Sequence, residues 1–178
     1  SCYVPSFNPK DIRDNIISVL DGGSIKRMKP WFRGFKGRVF LEDDTWITQG
    51  VSQVIGRTVK VSELPPGRWT QDYKEYLDTL VEKKIISGFT NNSTTESVDF
   101  VIQDYNGKDV TKDLKLQKTI RTTNMHLFHP TKGIHKYTTP ESILSDFISI
   151  RQKYYIKRKE YLIKALEAKS KMCDYKSK

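Results

Sequence analysis

The sequence predicts an α+β fold, in which a small, mostly antiparallel sheet domain with flanking helices is followed by a long projecting C-terminal helix. Three observations lead to this prediction. Short β-forming runs broken by turn residues fill the middle of the chain, segments of helical periodicity flank them, and the last periodic segment contains no Gly or Pro after its first turn. The length of 178 residues suits one modest core with an appendage.

A short amphipathic helix is predicted over residues 9–21. Asn8 is a favourable N-cap, and Pro9 suits the first turn because an N–H there would have no partner within the helix. Gly22 and Gly23 favour the end of the helix, because glycine tolerates the left-handed cap. The apolar residues at helical spacing are Ile12, Ile16, Val19 and Leu20.

Antiparallel strands with tight turns are predicted from about Gly37 to Val61. Turn residues at 42–44, Gly50 and Gly56 separate the β-forming runs. The Leu-Pro-Pro-Gly sequence at 64–67 stops this pattern. The β-forming residues are Val39, Leu41, Trp46, Val51, Ile55, Val59 and Val61.

A second helix is predicted after this turn, with Thr70 as its cap and Tyr73, Leu77, Leu80 and Val81 on one face. Further strands are predicted around residues 98–102, from Leu116 to Phe128, and from Ile134 to Tyr137. The turn signals between them are Asn106-Gly107 and Lys132-Gly133.

The long C-terminal helix is predicted to begin with Thr139 as its cap and Pro140 in its first turn, and to run to about Met172. Roughly 30 residues reach about 45 Å, which exceeds the width of a small domain, so we expect part of the helix to project and to meet a partner helix. A coiled-coil seam is predicted at Ile143, Phe147, Ile150, Tyr154, Tyr161 and Ala165. The basic residues assigned to the opposite face are Arg151, Lys153, Lys157, Lys159 and Lys164.

Charge is unevenly placed along the chain. Residues 1–114 carry equal numbers of basic and acidic side chains, so the whole formal net charge of +10 arises from residues 115–178. A second, local basic cluster comprises Lys26, Arg27, Lys29, Arg33, Lys36 and Arg38, with no acidic residue among them. Two basic zones separated by aromatic residues suggest a polyanionic partner, although a solvated basic face has the same composition.

Catalytic motifs are not evident in the sequence. His126, His129 and His135 lack a nearby cysteine as a fourth zinc ligand, and Asp43-Asp44 lies in a predicted turn. There is no phosphate-binding Gly-rich loop, and no Ser or Cys forms a convincing pair with a His. The two cysteines do not form a disulfide framework, and no segment resembles a membrane span or a signal peptide. A reducing, intracellular compartment is the simplest interpretation.

The loop at 29–38 is the first candidate for binding a polyanion. Lys29, Arg33, Lys36 and Arg38 can neutralise phosphates, and Trp31 can pack on sugars, as can the two phenylalanines. Its glycines allow another backbone to approach closely. The alternative is an aromatic loop that fills a core and leaves its charges in solvent.

The segment at 115–124 is the second candidate, interpreted as a strand with two faces. Leu116, Lys118, Ile120, Thr122 and Asn124 fall on one face, and Lys115, Gln117, Thr119, Arg121 and Thr123 fall on the other. The second set is entirely polar and can follow a phosphate backbone without reading bases. The alternative is an ordinary solvent-facing strand.

These segments resemble the eukaryotic-type DNA topoisomerase II family (type IIA). Residues 30–37, Pro-Trp-Phe-Arg-Gly-Phe-Lys-Gly, are similar to the Pro-Trp-Tyr-Lys-Gly-Phe-Lys-Gly motif of the family. Further similar blocks are Glu-Leu-Pro at 63–65, Trp-Thr-Gln and Tyr-Lys-Glu within 69–75, Asn-Met-His-Leu-Phe at 124–128 with Lys-Tyr at 136–137, and residues 143–160 of the long helix. The blocks cover nearly the whole chain in the right order.

The resemblance implies a DNA-binding fragment of an ATP-dependent enzyme that cleaves one duplex, passes another through it and reseals the break. It implies a connecting helix at 1–24, a tower domain at 25–138 that binds the flanking DNA arms, and the first coiled-coil helix towards the dimer gate at 139–178. ATP and Mg²⁺ would act elsewhere in a homodimeric parent, with no cofactor or metal in this fragment. The family's DNA-interacting strand matches residues 115–124, including Gln117, Thr119, Thr122 and Thr123.

The chain departs from the family pattern in its catalytic residues and in its DNA-interacting segment. No tyrosine follows an arginine, as the family's nucleophile does, and the acidic Toprim motif is missing, so the fragment alone is expected to be inactive. Lys118 and Arg121 replace Thr or Ser of many relatives. The span from Trp69 to Lys115 is shorter than in cellular enzymes of the family, which is compatible with a version from a large DNA virus. The resemblance implies the nucleus for a cellular protein, and the host cytoplasm or a viral factory for a viral one. The alternative function is a non-catalytic coiled-coil adaptor with a solvated basic face.

Overall fold

The computed structural model describes residues 2–176, and their side chains as far as residue 175, as two compact units. Unit 1 contains the residues up to Pro9 together with Lys29–Asn124, and unit 2 contains Lys10–Met28 together with the segment from Met125 onward. The predicted α+β class, with antiparallel sheets and a long C-terminal helix, is confirmed. No helix within residues 2–176 is both long and apolar enough to cross a membrane.

Unit 1 contains two antiparallel sheets. The three-stranded sheet has the order β1 (Arg38–Glu42), β2 (Thr45–Gln49) and β7 (Gln117–Ile120). The four-stranded sheet has the order β3 (Val51–Ile55), β4 (Thr58–Glu63), β6 (Phe100–Gln103) and β5 (Gly88–Asn91). The predicted turn between β1 and β2 is confirmed, because Asp43 and Asp44 both have positive φ, as a two-residue hairpin of this kind requires.

The core of unit 1 lies between the four-stranded sheet and helix α2 (Thr70–Glu82). Tyr73, Leu77 and Leu80 of α2 are buried, and the ring of Tyr73 packs edge to face on Phe100 at a centroid distance of 5.1 Å. Each fully buried side chain of this size contributes about 1.5–3 kcal/mol. Leu114 and Leu116 are completely buried in the same core. The residues that lead into β7 are therefore held in place by core packing.

Two details of the predicted elements are wrong. The residue at the N-cap of α2 is Trp69, which makes no side-chain cap, and Thr70 is already helical. The predicted strand from Leu116 to Phe128 is broken, because β7 ends at Ile120 and the pairing strand β2 begins only at Thr45, so β2 does not extend alongside residues 122–124. Strand β5 and the four-residue helix α3 (Val110–Asp113) escaped the sequence analysis, since neither is long enough to show a period.

Unit 2 contains two helices and one hairpin. Helix α1 (Pro9–Leu20) confirms the first prediction, and the buried Asn15 side chain bonds both backbone groups of Lys26. The hairpin pairs β8 (Met125–His129) with β9 (Gly133–Tyr137), and the hydroxyl of Tyr137 donates to Asp146 at 3.0 Å.

Helix α4 (Pro140–Lys176) has 37 residues, which corresponds to about 55 Å at 1.5 Å per residue. Leu144 and Ile148 are buried in unit 2, whereas Phe147, Tyr154 and Tyr161 of the predicted seam are more than half exposed. The described side chains beyond Ile150 are all exposed except that of Ala165, which is half-buried.

Candidate nucleic-acid interface

A turn that contains Gly67 lies next to β7 and fixes the side chain of Lys118, a basic residue of the candidate interface. Pro65-Pro66-Gly67-Arg68 forms a type II turn, in which the N–H of Arg68 donates to the carbonyl of Pro65 at 3.1 Å and Gly67 has a φ of 78°. The Nζ of Lys118 donates to the Gly67 carbonyl at 2.7 Å. Lys118 therefore crosses from β7 to this turn, although sequence alternation placed it on the same face as the buried Leu116 and Ile120.

The end of β7 opens into a cleft of about 610 Å³, which we call the β7 cleft. It is lined by Tyr3, Lys118, Thr119, Arg121, Thr123 and Asn124. Five of these six residues lie in the segment at 115–124, for which the family resemblance predicts an interaction with DNA. Tyr3 was not predicted, because its N–H bonds the carbonyl of Asn124 at 2.9 Å across a sequence separation that leaves no local signal.

Lys115 lies outside the polar row in which the sequence placed it. Its φ of 49° excludes it from a strand, and its Nζ lies 4.1 Å from the centroid of the Tyr76 ring. This geometry is a cation–π contact, so the charge of Lys115 is directed at an aromatic face. Gln117 and Thr119 do share a face of β7, as alternation predicts, and Arg121 and Thr123 follow in irregular backbone.

The three-stranded sheet connects this cleft to the basic loop at 29–38. Arg38 pairs with Gln49 and Gln49 pairs with Gln117, so the three side chains form one cross-strand row. The Gln117 amide donates to the Gln49 side-chain oxygen at 3.3 Å, which reinforces the row. Adjacent strands lie about 4.8 Å apart, so Arg38 and Gln117 are held about 10 Å from each other.

The basic loop is shaped by its aromatic residues and by one close backbone approach. Phe32 and Phe35 are half-buried and pack edge to face with centroids 6.3 Å apart, so they anchor the loop, whereas Trp31 is 38% exposed. A Cβ on Gly37 would collide with the backbone carbonyl of Gln49, so only glycine fits this position without a shift.

A second cleft, of about 500 Å³, is lined by Lys29, Arg38 and Gln49 with neighbouring β1 residues. Arg33 and Lys36 are exposed. None of the described residues lining either cleft is acidic, so both present positive potential to solvent. This charge can attract phosphates, and the threonine hydroxyls and the Asn124 amide can add neutral hydrogen bonds to them.

The N-terminal segment joins the two basic elements. Its Tyr3 bonds Asn124 at the end of the β7 cleft, and its Ser6 carbonyl accepts from the N–H of Trp31 at 2.8 Å. Phe7 forms an isolated antiparallel bridge with Pro30. The loop at 29–38 and the segment at 115–124 are therefore parts of one surface of unit 1.

Several tyrosines and histidines of the described chain are engaged in packing and hydrogen bonds, among them Tyr73, Tyr105 and His129. Burial raises the pKa of the Tyr73 hydroxyl, and burial together with a 2.6 Å hydrogen bond to Asp113 raises the pKa of Tyr105. The ring of His129 packs edge to face on His135, and its Nδ1 accepts from the N–H groups of Thr131 and Lys132. Within residues 2–176, no group of three or more His, Cys, Asp or Glu side chains could hold a metal ion.

The chain is similar to one group of known proteins over nearly its whole length. The family model that describes the A subunit of DNA gyrase/topoisomerase IV matches residues 1–177. The chain is 38% identical over 177 residues to the mitochondrial DNA topoisomerase 2 of Dictyostelium discoideum, which covers 94% of this chain and 14% of that protein. It is 36% identical over 179 residues to DNA topoisomerase 2 of Pisum sativum, which covers 92% of this chain and 12% of that protein.

A solved structure agrees with these relatives. The crystal structure of the Plasmodium falciparum topoisomerase II DNA-binding, cleavage and re-ligation domain matches with a TM-score of 0.89 and 37% identity. The match covers 94% of this chain and 24% of that chain. The described chain thus spans a small part of each protein that it matches.

Proposed function

Because this chain belongs to the family of DNA gyrase and topoisomerase IV A subunits, we propose that it is the part of a eukaryotic-type DNA topoisomerase II that binds the flanking arms of the cleaved duplex. The observation that carries this proposal is the continuous basic surface of unit 1. The loop at 29–38 and the β7 cleft supply cations from two distant parts of the sequence, and one sheet fixes their spacing.

The proposed contacts are to phosphates and carry no base specificity. Arg121, Lys118, Lys29 and Arg38 line the two clefts, and Arg33 and Lys36 extend the charge. Each neutralised phosphate releases condensed counterions, so affinity should fall steeply with salt. Thr119, Thr123 and Asn124 hold the backbone in register through neutral hydrogen bonds, which position DNA without reading its sequence.

The role of the whole protein is part of the same proposal. The parent homodimer would cleave one duplex, pass a second and reseal the first, with ATP and Mg²⁺ bound outside this fragment. Residues 1–24 would contain the connecting helix α1, residues 25–138 would be the tower domain, and residues 139–178 would contain the first helix towards the dimer gate, α4. The exposed tyrosines of α4 support the last assignment, because such a helix needs a partner to cover its apolar stripe. We place the protein inside the cell, in the nucleus, or in the host cytoplasm or viral factory for a viral source.

The experiment that tests DNA binding is a titration of a labelled duplex of about 30 bp with the purified chain at several salt concentrations. We expect log affinity to fall linearly with log salt. Arg121→Glu should weaken binding about 100-fold near 0.1 M salt, since it removes one phosphate contact and adds a repulsive charge at the same place.

Lys164→Glu is the matched control, because it exchanges a basic for an acidic side chain at an exposed position of α4. It should alter affinity less than twofold. If the unchanged chain fails to bind at any salt concentration, or if both variants lose affinity equally, the proposed surface is wrong. Relaxation of supercoiled plasmid by the chain with ATP and Mg²⁺ would contradict its proposed inactivity.

A further inference from the structure

The N-terminal segment contributes Tyr3 to the lining of the β7 cleft. Tyr3 lines this cleft together with Arg121 and Lys118, and its side chain is 48% exposed. A half-exposed aromatic ring beside two cations in an open cleft is suited to a ligand that has both a phosphate and an apolar face. A phosphodiester with its neighbouring deoxyribose has both.

The backbone that carries Tyr3 is held at both ends. The N–H of Tyr3 donates to Asn124, Pro5 is buried, and the carbonyl of Ser6 accepts from Trp31. The backbone that carries the ring is therefore already ordered. Little conformational entropy is lost when a ligand enters the cleft, which favours binding. The two residues that anchor the segment, Asn124 and Trp31, belong to the two basic elements themselves.

We propose that Tyr3 packs its ring against the deoxyribose next to the phosphate bound by Arg121, and so supplies a contact that does not depend on salt. This inference rests on the proposed function, because it assigns a further binding residue to the same site. Aromatic packing involves no counterion release, whereas phosphate neutralisation does. The two kinds of contact therefore differ in how they respond to salt.

The test is the same duplex titration over a series of salt concentrations, with Tyr3→Ala, Tyr3→Phe and Arg121→Ala. Tyr3→Ala should weaken binding by about tenfold at every salt concentration and leave the slope of log affinity against log salt unchanged. Tyr3→Phe should bind as the unchanged chain does, because it keeps the ring. Arg121→Ala should lower the magnitude of the slope by about one.

Two results would overturn the role of Tyr3. Either Tyr3→Ala binds as tightly as the unchanged chain, or Tyr3→Phe is as weak as Tyr3→Ala, which would assign the contact to the hydroxyl. Thermal melting of each variant checks that the fold is intact. Failure of the unchanged chain to bind DNA would instead contradict the proposed function, so the two failures are distinguishable.

Discussion

The β7 cleft and the loop at 29–38 together form a basic surface of unit 1, which we call the β7 surface. This surface and helix α4 are both rich in basic residues, but the basic residues have different neighbours in the two regions. At the β7 surface, two turns and three strands bring Arg121, Lys118 and Arg38 together from separate parts of the sequence, and no described residue lining the clefts is acidic. On α4 the basic residues are interspersed with acidic ones. Glu160 and Glu167 each lie four residues before a lysine, the spacing at which opposite charges on a helix are neighbours.

Aromatic residues show the same contrast. Along α4, Arg151 lies over the ring of Tyr155 at 5.1 Å and Lys157 lies over Tyr154 at 5.3 Å, so the cations cover neighbours on their own helix. In the β7 cleft, Tyr3 belongs to a segment that is distant in sequence from the cations, and it remains about half exposed. Composition alone therefore does not locate the basic clefts: α4 carries more basic residues than any other element, while both clefts lie in unit 1.

The largest expected effect comes from breaking the geometry of the β7 surface without changing its charge. Gly37→Ala should destabilise unit 1 by about 2 kcal/mol, because the new methyl group meets the backbone carbonyl of Gln49 and cannot be accommodated by a side-chain movement. Arg38 would lose its register with Gln117, so DNA affinity should fall as well. Chemical denaturation and the duplex titration measure the two effects.

Gly88→Ala is the control for this substitution. The nearest atom to its new methyl group is a side-chain oxygen at 3.9 Å, which is ordinary contact. Its stability should therefore change by less than about 0.5 kcal/mol. Equal stability of Gly37→Ala and the unchanged chain would show that β1 and β2 are not held in the described register.

The second-largest expected effect comes from Lys118, which bonds the turn at Gly67 and is proposed to bind a phosphate. Its Nζ has three N–H donors, of which one bonds Gly67, so two remain for a phosphate. Lys118→Met should lower affinity about three- to tenfold and reduce the salt slope by about one, while stability falls by about 0.5–1 kcal/mol from the lost hydrogen bond. An unchanged salt slope with lowered stability would mean that Lys118 only holds the turn.

A smaller effect on DNA affinity should follow from removing several lysine charges from helix α4. Changing Lys153, Lys157, Lys164 and Lys171 to Gln together removes four positive charges from α4. We expect less than about a threefold loss of affinity, because these exposed lysines line neither cleft and act on DNA only through screened potential. A loss larger than that caused by Arg121→Ala alone would reverse the comparison between the two regions.

The sequence correctly predicts those elements whose structure is determined by local periodicity and by turn residues. Helix α1, the hairpin turn at Asp43-Asp44 and helix α4 are confirmed, and so is the family resemblance that rested on motifs such as residues 30–37. Helix α4 extends four residues past the predicted Met172, because no glycine or proline is present to end it.

What the sequence could not predict depends on contacts between distant residues. The alternation of residues 115–124 assumed a continuous strand, but β7 needs a partner strand, and β2 is too short to pair with all ten residues. The left-handed backbone at Lys115 and the bond from Lys118 to Gly67 are also set by tertiary packing. For the same reason, five of the six residues of the β7 cleft could be predicted and Tyr3 could not.

The smallest expected effect concerns the helix that leads into β7, and it depends on pH. The Asp109 side chain caps α3 by accepting from the hydroxyl and N–H of Thr111 and the N–H of Lys112. The bond from the Thr111 hydroxyl, followed by the backbone bonds, lowers the pKa of Asp109 below its ordinary value. A carboxyl with a lowered pKa stabilises the fold above the ordinary Asp range, and this contribution is lost as the pH falls through the lowered value.

Asp109→Asn tests this contribution, because Asn is also a good N-cap but does not titrate over this range. At neutral pH, the amides of Thr111 and Lys112 should be protected from hydrogen exchange to a similar degree in both chains. Below the ordinary Asp range, protection should fall in the unchanged chain relative to Asp109→Asn. Because Leu116 N–H bonds the Thr111 carbonyl at 2.8 Å, the loss should extend to the start of β7. A pH response that is the same in both chains would show that another group controls the entry to β7, and that the charge of Asp109 does not support the β7 surface.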